Sequence, residues 1–214
     1  MTRRTWGRWA LGAGVAAATA GVPFAYYRAS YAHAKRLRVV APGKLYRSGQ
    51  LTAEGFRDAF RRYGIKTVVN LQEEARDPLI PETWQGRTKV RESDVCKAMG
   101  VKYVALDGGV LDHPEREAGT RPQVIDDFLD VMRDEENHPV LIHCLAGLHR
   151  TGLLTAVYRM EFEGWGPAEA VRELRANGFG TFDATDGNVY LDRFILKFER
   201  HARRSAGRTG EGGR

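Results

Sequence analysis

Pro139-Val140-Leu141-Ile142-His143-Cys144-Leu145-Ala146-Gly147-Leu148-His149-Arg150-Thr151-Gly152 is the stretch that decides the fold. An apolar, β-prone run ends at a cysteine, a glycine-bearing segment follows, and from Gly152 to Met160 the pattern reads as helix. A buried strand, a tight loop and a helix N-terminus in that order turn backbone amides toward one point, which suits a phosphate group. A phosphate monoester dianion repels nucleophiles, so its cleavage needs a positively polarised cradle and an in-line attacker. Cys144, ahead of a helix and near Arg150, is favoured as a thiolate nucleophile. Arg150 offers a planar fork for two phosphate oxygens. Gly147 lets successive amides turn inward, and Gly152 permits close helix packing. Thr151 is expected to donate a hydrogen bond to the sulfur, and His143 to fix the backbone and thiol geometry. Leu145, Ala146, Gly147, Leu148 and His149 complete the expected phosphate-binding wall.

Outward from this stretch, strands and helices alternate. Leu45-Tyr46-Arg47-Ser48 reads as a first strand, and Thr52 caps a helix to Arg62 that Gly64 closes. Ile65 to Leu71 and Val101 to Leu106 read as strands, with a helix from Arg91 to Met99 between them. Gln123 to Arg133 is an amphipathic helix, Val140-Leu141-Ile142 the central strand, and Pro167 opens a helix ended by Asn177-Gly178. The expected fold is α/β: a central, mostly parallel sheet with helices on both faces, preceded by one N-terminal hydrophobic helix.

The net charge of +6 resolves once it is divided along the chain. Residues 1–40 hold seven Arg or Lys and no acid, and residues 200–214 hold five Arg against Glu211. The body between is mildly acidic, so a basic nucleic-acid face is not expected. The two cysteines, Cys96 and Cys144, are too few for a disulfide scaffold. His143, Cys144 and His149 are better explained by the loop than by a metal, so neither metal nor cofactor is expected. Cys96 reads as a core thiol.

Trp9 to Tyr27 carries no charge and is bounded by Arg8 and Arg28, with tryptophans at one end and Tyr26-Tyr27 at the other. A helix of that length reaches about 28 Å, close to the hydrocarbon thickness of a bilayer. The expectation is a membrane anchor at 9–27 after a basic N-terminus at 1–8. A cleaved signal peptide is the alternative, for Ala18-Thr19-Ala20 follows a short apolar core. Basic residues on both sides leave the orientation undetermined. Residues 28–42 are expected as a basic linker, 43–200 as the folded domain and 201–214 as a disordered tail.

His143-Cys144, five residues, then Arg150-Thr151 resembles the signature of the cysteine-dependent protein tyrosine phosphatase superfamily, in its compact dual-specificity branch. Leu45-Tyr46-Arg47-Ser48-Gly49-Gln50 and Gly64 to Leu71 are similar to the opening of its small bacterial, fungal and plant members, and the likeness covers about residues 43–180. The resemblance implies a metal-independent phosphatase acting through a cysteinyl-phosphate. A phosphate-binding pseudophosphatase usually lacks the cysteine or arginine, and both are intact here. A rhodanese-like sulfur transferase is disfavoured by the Arg150-Thr151-Gly152 continuation. Relatives acting on inositol phosphates carry Lys or Arg inside the loop, where this chain has Leu145 and Leu148, with His149 the remaining cation. Phosphotyrosine or mixed phosphoprotein substrates are therefore expected first, and a phosphorylated membrane lipid second.

Expelling the leaving group needs a proton, usually from an Asp about thirty residues before the cysteine in this family. Asp112, within Leu111-Asp112-His113-Pro114, fits that spacing; Asp107, at the strand end, is the alternative, though Gly108-Gly109 after it suggest a turn.

Overall fold

The computed structural model describes residues 3–112, 121–180 and 189–200. Helix α1 spans Arg3–His33, and its Trp6–Arg28 portion is long and apolar enough to cross a membrane, with none of it buried against the rest of the protein. Within residues 28–42, expected as a linker, α1 continues to His33 and Arg38–Ala41 forms strand β1. The tail at 201–214 lies outside the described residues.

A five-stranded sheet follows from β1, β2 (Leu45–Gly49), β3 (Thr67–Asn70), β6 (Lys102–Ala105) and β7 (Val140–Cys144), in the order β1-β2-β7-β3-β6. β7 is central and parallel to both neighbours, with Gly49 opposite Cys144 and Asn70 opposite His143. β3 and β6 are also parallel, while the edge strand β1 is antiparallel to β2. The expected mostly parallel sheet is present. β2, β3 and β7 are buried along their whole length, as strands covered on both faces must be.

Side chains alternate between two apolar layers. Val140, Ile142 and Cys144 face the layer built with α4 (Gln123–Arg133), α5 (Arg150–Phe162) and α6 (Pro167–Ala176). Leu141 faces the other, with α2 (Ala53–Tyr63) and α3 (Glu92–Ala98). Val124, Ile125, Phe128, Leu129 and Met132 form the buried stripe of α4 at helical spacing. Thr52 caps α2 by accepting from Gly55 N at 3.1 Å, and Gly64, at φ 63°, ends it in the left-handed region.

Elements the sequence reading did not anticipate are β1, the two-stranded hairpin of β4 (Leu79–Pro81) and β5 (Lys89–Arg91), and α7 (Val189–Lys197), which buries Leu191 and Ile195.

Candidate active site

β7 ends at Cys144, at the C-terminal end of the parallel strands, and the chain then turns through Leu145 to His149 into α5. Gly147 sits at φ 74°, where a Cβ would lie 2.5 Å from Gly49 N, so the turn admits no side chain. Its amide donates to Cys144 Sγ at 3.2 Å. No side chain caps α5, and Gly152 N donates to Leu148 O of the loop at 3.0 Å. Gly152 lets α6 approach, since a Cβ there would meet Leu174 Cδ1 at 2.4 Å. Cys144, Leu145, Ala146, His149, Arg150 and Glu74 line a small cleft of about 120 Å³. Leu145 is exposed on its rim, whereas Leu148 is buried in the core and His149 packs edge-on to Phe179.

One expected contact is corrected. The Thr151 hydroxyl is buried without a hydrogen-bond partner and does not bond the sulfur. Thr151 lies inside the first turn of α5, and the sulfur takes its hydrogen bond from the loop backbone instead.

Arg150 Nη1 donates to Leu71 O at 3.2 Å and to Glu74 Oε2 at 2.9 Å. Backbone hydrogen bonding first, and the Arg150 guanidinium second, hold the Glu74 carboxyl below the usual carboxylate range. On the opposite layer, His143 Nε2 and Glu92 Oε1 are 2.7 Å apart, both fully buried. Arg47, buried beneath the loop, donates from Nη2 to Gly147 O at 2.8 Å. Burial pulls its pKa down to about 10, partly offset by Glu173 and Cys144, so it stays charged at neutral pH.

Glu74, Glu92 and Arg47 were missed as site residues. Arg47 and Glu92 had a signal in hindsight, as a charged residue inside a β-prone run and at the start of a helix; Glu74 stands in a polar loop with none.

Asp107 is exposed; its Oδ1 accepts from Gly109 N at 3.2 Å and its Oδ2 lies 3.7 Å from Arg76 Nη2. The two glycines after it serve close approach as well as turning. A Cβ at Gly108 would lie 2.2 Å from Leu71 O and 3.1 Å from Arg150 Cδ. That approach brings the short 3-10 turn Gly109–Asp112 toward the phosphate loop. The side chain of Asp112 lies outside the described residues.

Cys96 is a free, buried thiol in the α2–α3 layer, away from the layer that holds Cys144, and burial pushes its pKa up to about 12. Among the described residues no three His, Cys, Asp or Glu side chains gather as a metal site would require.

The family model for a DSP-PTPase phosphatase fused to NAD+ kinase matches residues 28–188. The chain belongs to this phosphatase family. Among curated relatives of the DSP-PTPase chain, the dual specificity protein phosphatase TpbA of Pseudomonas aeruginosa UCBPP-PA14 is 38% identical over 149 residues, 69% of this chain and 57% of that protein. The alignment thus spans little more than half of that relative's length. Inositol diphosphatase DSP4 of Arabidopsis thaliana is 57% identical over 77 residues, 36% of each chain. The crystal structure of the core catalytic domain of the PP-IP phosphatase SIW14 from Saccharomyces cerevisiae shares the fold. Its TM-score is 0.53 at 20% identity, over 77% of this chain and 86% of that one.

Proposed function

We propose that this DSP-PTPase chain is a metal-independent phosphoric monoester hydrolase of the protein-tyrosine or dual-specificity type. The observation that carries the reading is one cleft lined by Cys144 and Arg150, with the Gly147 amide donating to the Cys144 sulfur at 3.2 Å. The Cys144 thiolate attacks phosphorus in line, forming an S–P bond as the ester P–O bond breaks. A carboxylic acid protonates the departing oxygen. Water then attacks the cysteinyl-phosphate, the same carboxylate takes its proton, and inorganic phosphate leaves with the thiolate restored. Arg150 and the amides of Leu145 to His149 carry the charge on the equatorial oxygens. Asp112 is the proposed acid, because Asp107 is already engaged by Gly109 and Arg76.

Phosphotyrosine or mixed phosphoprotein is the first substrate class, on the apolar rim that Leu145 presents. A phosphorylated inositol or membrane lipid is the second, supported by the identity with the Arabidopsis inositol diphosphatase. The Trp6–Arg28 helix supports a membrane anchor, and the acidic body gives no support to a nucleic-acid partner.

Cys144→Ser should abolish hydrolysis of a small aryl phosphate, and Arg150→Lys should lose about a hundredfold or more of kcat/KM, with chelator without effect. A Cys144→Ser protein with near-normal turnover would overturn the mechanism, and comparing phosphotyrosine peptides with inositol and lipid phosphates decides the substrate class.

A further inference from the structure

Three consecutive carbonyls of the phosphate loop are each held from outside. Leu145 O accepts from Gln50 N at 3.2 Å, Ala146 O from Arg36 Nη1 at 2.9 Å, and Gly147 O from Arg47 Nη2 at 2.8 Å. In a planar trans peptide the carbonyl and the following N–H point in opposite directions. Holding each carbonyl outward therefore directs the amides of Ala146, Gly147 and Leu148 toward the anion site. The result is visible at Gly147, whose N–H meets Cys144 Sγ.

Two of the three donors come from β2 and the residue just beyond it. The third, Arg36, comes from the turn that joins α1 to the sheet. That turn is also tied to β2 beside the loop. Gly49 N donates to Lys35 O at 2.8 Å. A Cβ at Gly49 would lie 2.8 Å from Lys35 Cδ and 3.0 Å from Ala146 O, so three chain segments meet closely there. Arg36 itself adopts φ 53°, a left-handed conformation that costs a side-chain-bearing residue on the order of 1 kcal/mol. Its guanidinium also donates to Tyr31 Oη at 3.0 Å and lies over that ring, 5.6 Å from its centroid. Tyr31 belongs to the last turn of α1.

We propose that Arg36 is a positioning residue of the phosphate site: it fixes the Ala146–Gly147 peptide with its amide inward, and so couples the N-terminal helix to the phosphate loop. The inference rests on the phosphatase reading above only for its kinetic readout. It concerns oxyanion binding, which is measurable without turnover.

The test uses the full chain with Arg36→Met, which keeps the stem and removes the donors, and Arg36→Lys, which returns one donor. Neither is glycine, so the backbone constraint is the same in all three proteins. Orthovanadate affinity by calorimetry, referred to the folded fraction, and kcat/KM on an aryl phosphate are read together. Arg36→Met should weaken vanadate and lower kcat/KM by about tenfold each, with KM changing less than kcat, and Arg36→Lys should recover to within about threefold of the parent. Vanadate affinity within twofold of the parent in Arg36→Met, or equal impairment in Arg36→Lys, overturns the proposal. A parent that binds vanadate in this Arg36-dependent way yet hydrolyses no aryl phosphate sinks the phosphatase reading and leaves the inference standing.

Discussion

His143 Nε2 and Glu92 Oε1 lie 2.7 Å apart with both side chains fully buried, tying the residue before Cys144 to α3 on the far layer of the sheet. The carboxylate settles which imidazole nitrogen engages it, and Phe56 packs against the edge of the ring at a centroid distance of 5.3 Å. The backbone on which Cys144 stands is thereby held from the α2–α3 layer.

Removing one partner of that pair strands the other in the core. Glu92→Leu should cost about 2 kcal/mol of stability, and Glu92→Gln, which still accepts a hydrogen bond, about 1 kcal/mol or less. Urea unfolding of the two variants checks the order, and kcat on the folded fraction of Glu92→Leu should fall severalfold through His143. Equal stability of parent and Glu92→Leu would remove the structural role of the pair.

The general acid must hold its proton to act, so the rate on a poor leaving group falls as pH rises through its pKa. Asp112→Asn should flatten that alkaline limb and lose about a hundredfold in rate, yet recover on an ester whose leaving group needs no proton. Asp107→Asn should change little beyond the turn it supports. An Asp112→Asn enzyme matching the parent on both esters transfers the role to Asp107.

In the proposed mechanism Glu74 and an incoming phosphate compete for the Arg150 guanidinium. Glu74→Gln should therefore tighten inhibition by inorganic phosphate, by about threefold, given the modest worth of a half-exposed ion pair. The Glu74 carboxyl is held below its ordinary value of 4.5, so the pair is fully present above that pH and is lost as pH falls through the lower folded value. The difference between parent and Glu74→Gln should accordingly be full at neutral pH and vanish in acid. Weaker phosphate inhibition in Glu74→Gln would assign Glu74 to orienting Arg150 instead.

The parts legible in the sequence were those whose cause is local. Thr52 and Gly64 cap α2, the apolar stripe of α4 repeats at helical spacing, and β7 opens on the apolar run Val140-Leu141-Ile142 before His143-Cys144; each is written within a few residues. α5 was located by the loop before it, since a helix buried on most of its faces carries no amphipathic stripe. β4 and β5 are three residues each, too short for alternation to register. β1 exists because β2 offers a free edge, which no local pattern in a basic segment announces. The site divides the same way. Cys144, Gly147 and Arg150 are fixed by spacing within one loop, whereas Glu92, Arg47, Glu74 and Arg36 reach it across long stretches of chain. The expected Thr151 bond had the right residue type at a plausible spacing, whereas in the structure the Gly147 amide, within the loop, donates to the sulfur.

The central place of β7 has a consequence for how this protein opens and how it can change. A strand flanked by parallel partners on both sides, with apolar layers above and below, exchanges its amide hydrogens only when the whole domain unravels. The Cys144 sulfur is mounted at the end of that segment, while Glu74 stands in the polar loop after β3 with its side chain half exposed. Substitutions on that loop can thus alter the mouth of the cleft without loosening the strand that carries Cys144.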